Sequence, residues 1–311
     1  MRPTPPLRLT VRDEEDLVAL APSLLGFWPE QDVVMLTFGA RCPFHARVDL
    51  PPLAEQDAAT TAALAASLAI PAGEHQVRAV ALLFYTDAAA DAREPWRQTR
   101  RMLQAAGVRV VNALVVGTRT FCSLVEPGAA PRRYDVATHP FVQQARRDGR
   151  LQFGSRAEMV ASLEPDSDRI GAVAAALADG TQHRPGSDTL VSLRRMIYAA
   201  GAPGPAEVAG LLAAVAAESL WARLEADAVA ADADERRFWA GVLPQTPPGW
   251  QPRVAAVLGY AAWRAGDGAM AWAAVDRVRR LVGDDAAAER LAAILEDAVP
   301  PQRHGGGRRT G

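Results

Sequence analysis

The chain has 311 residues, 34 basic and 36 acidic side chains and a net charge of −2, and every one of its basic residues is arginine. Without lysine there can be no Walker A phosphate loop, no kinase strand lysine, no Ser–Lys dyad and no Schiff-base amine. The near-zero net charge gives no general electrostatic reason to bind nucleic acid or an anionic membrane, and 49% hydrophobic with 23% charged residues is the balance of a globular chain. The 64 alanines and the arginine bias together read as a high-GC coding background.

Residues 13–25 predict a helix, with acids in the first turn, Leu17, Leu20 and Leu24 at helical spacing, and Gly26 to end it. The apolar run 33–38 and the alternating run 44–50 predict a β-hairpin. An alanine-rich helix over 56–69 and a strand over 77–85 follow. Asp91 with Glu94 three residues on predicts a capping box opening a helix over 91–106, which Gly107 stops. A nearly all-apolar strand over 108–116 and a returning strand over 120–125 complete an order of ββαβαββ. That order predicts an α/β domain, a mixed sheet flanked by helices, over residues 1–130.

Residues 126–139 read as a loop, and strand signals then vanish. Helices are predicted over 141–147, 156–163, 170–178, 190–200, 206–226, 232–242, 252–265, 269–282 and 286–299. They make an all-α domain over 131–299, followed by a glycine-containing tail, 300–311, expected to be disordered. Leu258-Gly259, Gly266-Asp267 and Ala271 fall at the small-residue spacing of one tetratricopeptide unit, with Trp263 and Trp272 beside them. Small residues let paired helices approach closely, so a TPR-like helical hairpin is expected here.

Several segments taken in order resemble a known family. They are 21–29 (APSLLGFWP) with Val33 and Val34, 47–51 (RVDLP), 82–87 (LLFYTD), 154–159 (GSRAEM) leading to 163–165 (LEP), and the helical stretch around 263–267 (WRAGD). Together, over roughly residues 7–298, they resemble the actinobacterial domain of unknown function DUF4192. The resemblance implies a fold type and a bacterial lineage and carries no activity. Members often have a cysteine cluster after the strand near residue 120; here Cys122 stands alone, so no metal or redox role transfers to that loop.

Candidate site residues come from position. Tyr85, Thr86 and Asp87 end an apolar strand, and ligands of open α/β sheets bind beyond such ends. Asp87 is thus either a pocket residue or a turn aspartate capping the next segment. His45, Arg47 and Asp49 share one strand face, suited to an anion or to acid–base chemistry, or else forming the wet side of the hairpin. Ser155 and Glu158 fit a capping box, which leaves Arg156 to clamp a carboxylate or phosphate or to form a structural ion pair. Phe27-Trp28 is a partner patch or a staple between helix and sheet. Cys42 and His45 lie on opposite strand faces, a poor geometry for zinc. Arg132, Arg133, Arg146 and Arg147 form a basic patch diluted by Asp135 and Asp148. The five histidines have no ligand spacing, and G-x-G-x-x-G, G-x-S-x-G, H-E-x-x-H and C-x-x-C are absent, so no cofactor or metal is expected. A Ser-His-Asp set needs no sequence proximity and stays open.

Two cysteines, an N-terminus without the apolar core of a signal peptide, and no long apolar segment predict a cytoplasmic protein. The leading expectation is a non-enzymatic binding or scaffold protein offering residues 250–298 to a protein partner, with no nucleic acid and no membrane. The alternative is a small-molecule sensor or enzyme with its site near Asp87. An exposed apolar groove on 250–298 would favour the first, and a deep polar-lined pocket at the strand ends the second.

Overall fold

The computed structural model describes residues 10–40, 44–126, 128–179, 189–199, 203–214 and 232–301. The tail 302–311, Cys42, His183, His304 and the 215–226 part of one expected helix lie outside the described residues. The chain forms two compact units, residues 1–156 and 157–311. No helix among the described residues is long and apolar enough to cross a membrane.

The first unit is a mixed six-stranded sheet between two helical layers. Its elements are α1 (Glu14–Leu25), β1 (Asp32–Phe38), β2 (His45–Asp49), α2 (Ala58–Glu74), β3 (Ala79–Tyr85), α3 (Arg93–Ala105), β4 (Arg109–Val116), β5 (Thr120–Ser123), β6 (Arg132–Arg133) and α4 (Pro140–Arg147). The strand order is β2-β1-β3-β4-β5-β6, with β3 and β4 the one parallel pair. α1 begins where the acid pattern places it, the Asp13 carboxylate accepting the Asp16 amide (2.9 Å), and it ends at Gly26, whose φ of +81° suits glycine.

Period-two alternation explains why both faces are dry. Val34, Leu36, Leu83, Leu114 and Val116 face α1 and α4, whereas Val33, Met35, Leu82, Phe84 and Val115 face α2 and α3. Burying such side chains contributes about 1.5–3 kcal/mol each. Phe84 also meets Trp96 of α3 edge to face, ring centres 6.5 Å apart.

Three local expectations change. α3 opens at Arg93 with Ala92 as its cap and no side-chain cap, because the Asp91 carboxylate bonds elsewhere. β6 lies in the stretch read as loop; two exposed residues at a sheet edge carry no period. The first unit also runs past the expected boundary at 130. α4 packs against α1, and the Gln152 and Phe153 amides bond to the Gly26 carbonyl (3.1 and 3.2 Å), so 131–156 belongs with the sheet.

The second unit is helical. Beyond α5 (Arg156–Ala161), which straddles its start, it contains α6 (Ser167–Ala178), α7 (Thr189–Tyr198), α8 (Pro205–Ala214), α9 (Asp232–Val242), α10 (Gln251–Arg264), α11 (Gly268–Val282) and α12 (Ala286–Glu296). α10 and α11 form the expected hairpin. A β-carbon on Gly259 would stand 3.4 Å from the Ala274 β-carbon of α11 and 2.6 Å from Leu291 Cδ2 of α12, so any larger residue must displace that leucine side chain. Asp267 caps α11 through the Met270 amide (3.0 Å) and pairs with Arg236 of α9 (2.9 Å).

Candidate functional site

Because β3 and β4 are parallel, their carboxyl ends sit side by side, and the two turns that leave them meet. The Thr86 amide donates to the Val116 carbonyl (3.0 Å), continuing the ladder to the rim. Beyond it the Asp87 carboxylate crosses to the β4–β5 turn, where it accepts the Thr118 amide (2.6 Å) and the Thr118 hydroxyl (2.7 Å). These two bonds hold the exposed Asp87 carboxyl below the usual carboxylate range. Gly117 makes the crossing feasible, since a β-carbon there would lie 2.7 Å from Asp87 Oδ1.

Around these turns lies a cavity of about 600 Å³. Val18, Val116 and Val136 supply its apolar floor, and Trp28, Tyr85 and Tyr134 its aromatic rings. Glu30, Asp87 and Asp135 bring carboxylates, and Gln31, Thr86 and Thr118 neutral polar groups. Tyr85 is 7% exposed and donates its hydroxyl to the Val18 carbonyl of α1 (3.2 Å); burial pushes its phenol well above the ordinary value. Tyr134 donates to the Gly117 carbonyl (2.6 Å), and burial, with the Asp87 charge second, raises its phenol too.

The rim is held from behind by Asp91. This buried carboxylate accepts the Thr86 hydroxyl (3.2 Å), the Gln31 side-chain amide (3.0 Å) and the Leu53 backbone amide (3.0 Å). Gln31 itself sits at φ +49°, a left-handed conformation that is costly for a non-glycine residue and recurs at functional sites. Its carbonyl accepts the Leu50 amide (2.7 Å), so the strained backbone is fixed from two sides.

The structure therefore brings Tyr85 and Asp87 together in one cavity, and Asp87 is at once a lining residue and a turn bridge. The other candidates, His45, Arg47, Asp49 and Arg156, are not among its lining residues. Arg47 is largely buried at the sheet edge, paired with Asp49 and with the fully buried Asp32, whose carboxyl is raised by burial against the opposing pull of Arg47. That pairing, rather than a uniformly wet face, is the local structure of the trio. The Nδ1 of His45 accepts the Thr37 amide (3.3 Å); the residue has an exposed surface, yet desolvation around the ring lowers its pKa to about 4. Arg156, half-buried, opens α5 two residues after Gly154, which lines the cavity, and is not itself a lining residue. Phe27 is fully buried and bridges to Phe153, while Trp28 lines the cavity, so the pair divides between staple and site.

Arg132 of the basic patch pairs with Glu14 and lies 5.1 Å from the Phe121 ring centre. His139 Nε2 meets Asp16 (3.1 Å), but its Nδ1 accepts the Phe141 amide (3.2 Å), which leaves no nitrogen to activate a serine. Among the described residues no group of three His, Cys, Asp or Glu side chains could hold a metal ion.

Sequence reasoning did not point to Glu30, Gln31 or Thr118, and it placed Tyr134 and Asp135 in the basic patch rather than at this cavity. The strand-end rule reaches only residues next to a recognised strand. The strain at Gln31 has no sequence signature, and Tyr134 arrives from a stretch without periodicity.

Comparison with known families matches residues 15–302 to the domain of unknown function DUF4192, which bears out the resemblance carried by the segments from 21–29 onward. No curated protein and no solved structure matches the chain.

Proposed function

We propose that this chain, which belongs to the DUF4192 family, is a small-molecule-binding protein whose ligand occupies the cavity at the carboxyl ends of β3 and β4. One observation carries the reading: a space of about 600 Å³ with an apolar floor and a polar rim stands at the end of the parallel strand pair, the place where open α/β sheets take ligands. The strained Gln31 and the buried Asp91 behind the rim support it, since a pre-formed site needs its polar groups fixed before the ligand arrives. Protein-observed NMR of a fragment library tests it. Hits are expected to shift Thr118, Tyr134 and Val136 and to lose binding in Ala137→Trp, which fills the cavity mouth. Hits that gather elsewhere, or that ignore Ala137→Trp, would refute it.

A second reading keeps residues 250–298 as a surface for a protein partner. The exposed Leu281 and Val282 at the end of α11 favour it, although they make a small patch rather than a groove. Leu281→Asp with Val282→Asp should then lose a partner captured by the parent chain from its host; retention of every captured protein counts against it. On cysteine content and arginine bias we take the protein to be cytoplasmic and from a high-GC actinobacterium.

A further inference from the structure

Building on the reading of the cavity as a ligand site, we propose that its ligand is an organic cation, a protonated amine carried on an apolar body. Three carboxylates, Glu30, Asp87 and Asp135, line the space, and no arginine or histidine lines it with them. Among the described residues none of the three forms an ion pair, whereas Glu14, Asp32, Glu164 and Asp267 each meet an arginine. Asp87 is satisfied by Thr118 alone and Asp135 by the Ala137 amide (3.1 Å), both neutral donors that leave the full negative charge in place. Behind the rim, Asp91 is likewise held by the neutral donors Thr86, Gln31 and Leu53. The three lining carboxylates are solvent-exposed and partly screened, but a concave surface lined by one sign of charge still raises the local concentration of the opposite charge.

The same residues argue against the ligand that a strand–helix turn most often takes. A phosphate near the start of α3 would meet Asp91 one residue before the helix cap and Asp87 across the turn. An isolated metal ion is also a poor fit, because the carboxylates surround a large space and do not converge as a ligand set. An ammonium group with a hydrocarbon or aromatic body answers both halves of the lining. Its charge meets the carboxylates, its body covers Val18, Val116 and Val136, and the rings of Trp28 and Tyr134 favour a cation over an anion.

Titration calorimetry on the full chain decides the matter with 2-phenylethylamine, cyclohexylmethylamine and tryptamine, each run beside the alcohol and the carboxylate of the same skeleton. The amines are expected to bind at least about tenfold tighter than their alcohols, and the carboxylates not at all. In the double variant Glu30→Gln, Asp135→Asn, which leaves Asp87, the amines should lose most of their advantage over the alcohols, while the alcohols keep their affinity. The comparison of ligands on the parent chain stands without any variant, so a folding defect cannot mask the result. Alcohols that equal the amines, or carboxylates that bind better, overturn the cation assignment and leave the cavity as a site. Failure of all these compounds while library fragments still occupy the cavity also overturns the assignment alone. Failure of every fragment to bind there removes the site reading itself, and the assignment with it.

Discussion

The two units treat ionised groups that leave water in different ways. In the helical unit they leave as pairs: Arg236 with Asp267 at 2.9 Å, Arg264 with the fully buried Glu235 at 3.5 Å, and Arg277 between Glu164 at 2.7 Å and Gln251 at 3.0 Å. The α/β unit does the same where Arg47 covers Asp32 at the sheet edge. At its strand ends it does not. There the buried Asp91 is held by a hydroxyl and amides alone, and the solvent-exposed Glu30, Asp87 and Asp135 line the cavity with no ion pair among the described residues. A paired acid is already neutralised by the fold, whereas an unpaired acid on a concave surface keeps its charge available to a ligand. The contrast separates structural ionised groups from those a binding site would use.

The largest expected effect breaks a pair in the helical unit. Asp267→Ala strands Arg236 and removes the α11 cap, and should cost about 3–5 kcal/mol in urea unfolding. A loss no greater than that of an exposed substitution would mean the pair is not structural. Gly259→Val should cost about 1–3 kcal/mol by overpacking against Leu291, and adding Leu291→Ala should return part of it, a non-additive pair in a double-mutant cycle. Purely additive losses would show that the α10–α12 contact is loose.

Acid titration contrasts the units by sign. Burial raises the Asp267 carboxyl above its ordinary 3.8, so its contribution to stability is complete below that value and is lost as pH rises through the folded pKa. The Asp87 carboxyl is lowered from 3.8, so its contribution is present above that value and is lost as pH falls through the folded pKa. Carboxyl-carbon NMR should show the two shifts in opposite directions. Thr118→Val should move Asp87 part of the way back up, since the backbone amide remains. The smallest effect is the sharpest test: Glu30→Gln and Asp135→Asn should leave the thermal midpoint unmoved, because neither carboxylate holds a salt bridge among the described residues. A clear drop would place them with the structural acids and dissolve the contrast.

The strands were legible because their signal is local. Val33 to Phe38 and Ala79 to Tyr85 are apolar without interruption, and both faces of the sheet turn out to be covered. Small residues at 259, 266 and 271 likewise pointed to a close helical hairpin, and the approach of Ala274 and the Ala271 carbonyl to Gly259 is its physical form. The Asp91–Glu94 capping box misled because Asp91 had stronger partners far away in sequence, Gln31 and the Leu53 amide, which no local rule can weigh against a cap. The first unit ends later than its strand signals suggest for a similar reason: α4 carries an ordinary amphipathic pattern, and only packing on α1 assigns it to the sheet.

By itself the sequence determined the excluded chemistries, the α/β-then-helical order, the family, and Tyr85 and Asp87 as residues at a strand end. These follow from composition, period and neighbouring residues. Tertiary structure alone decided that β3 and β4 lie side by side, that Asp87 reaches across them to Thr118, and that Glu30, Tyr134 and Asp135 arrive at the same opening. A cavity is a space between segments distant in the chain, and its charge is a sum over them. The pairing of each acid is settled by which arginines the fold brings within reach.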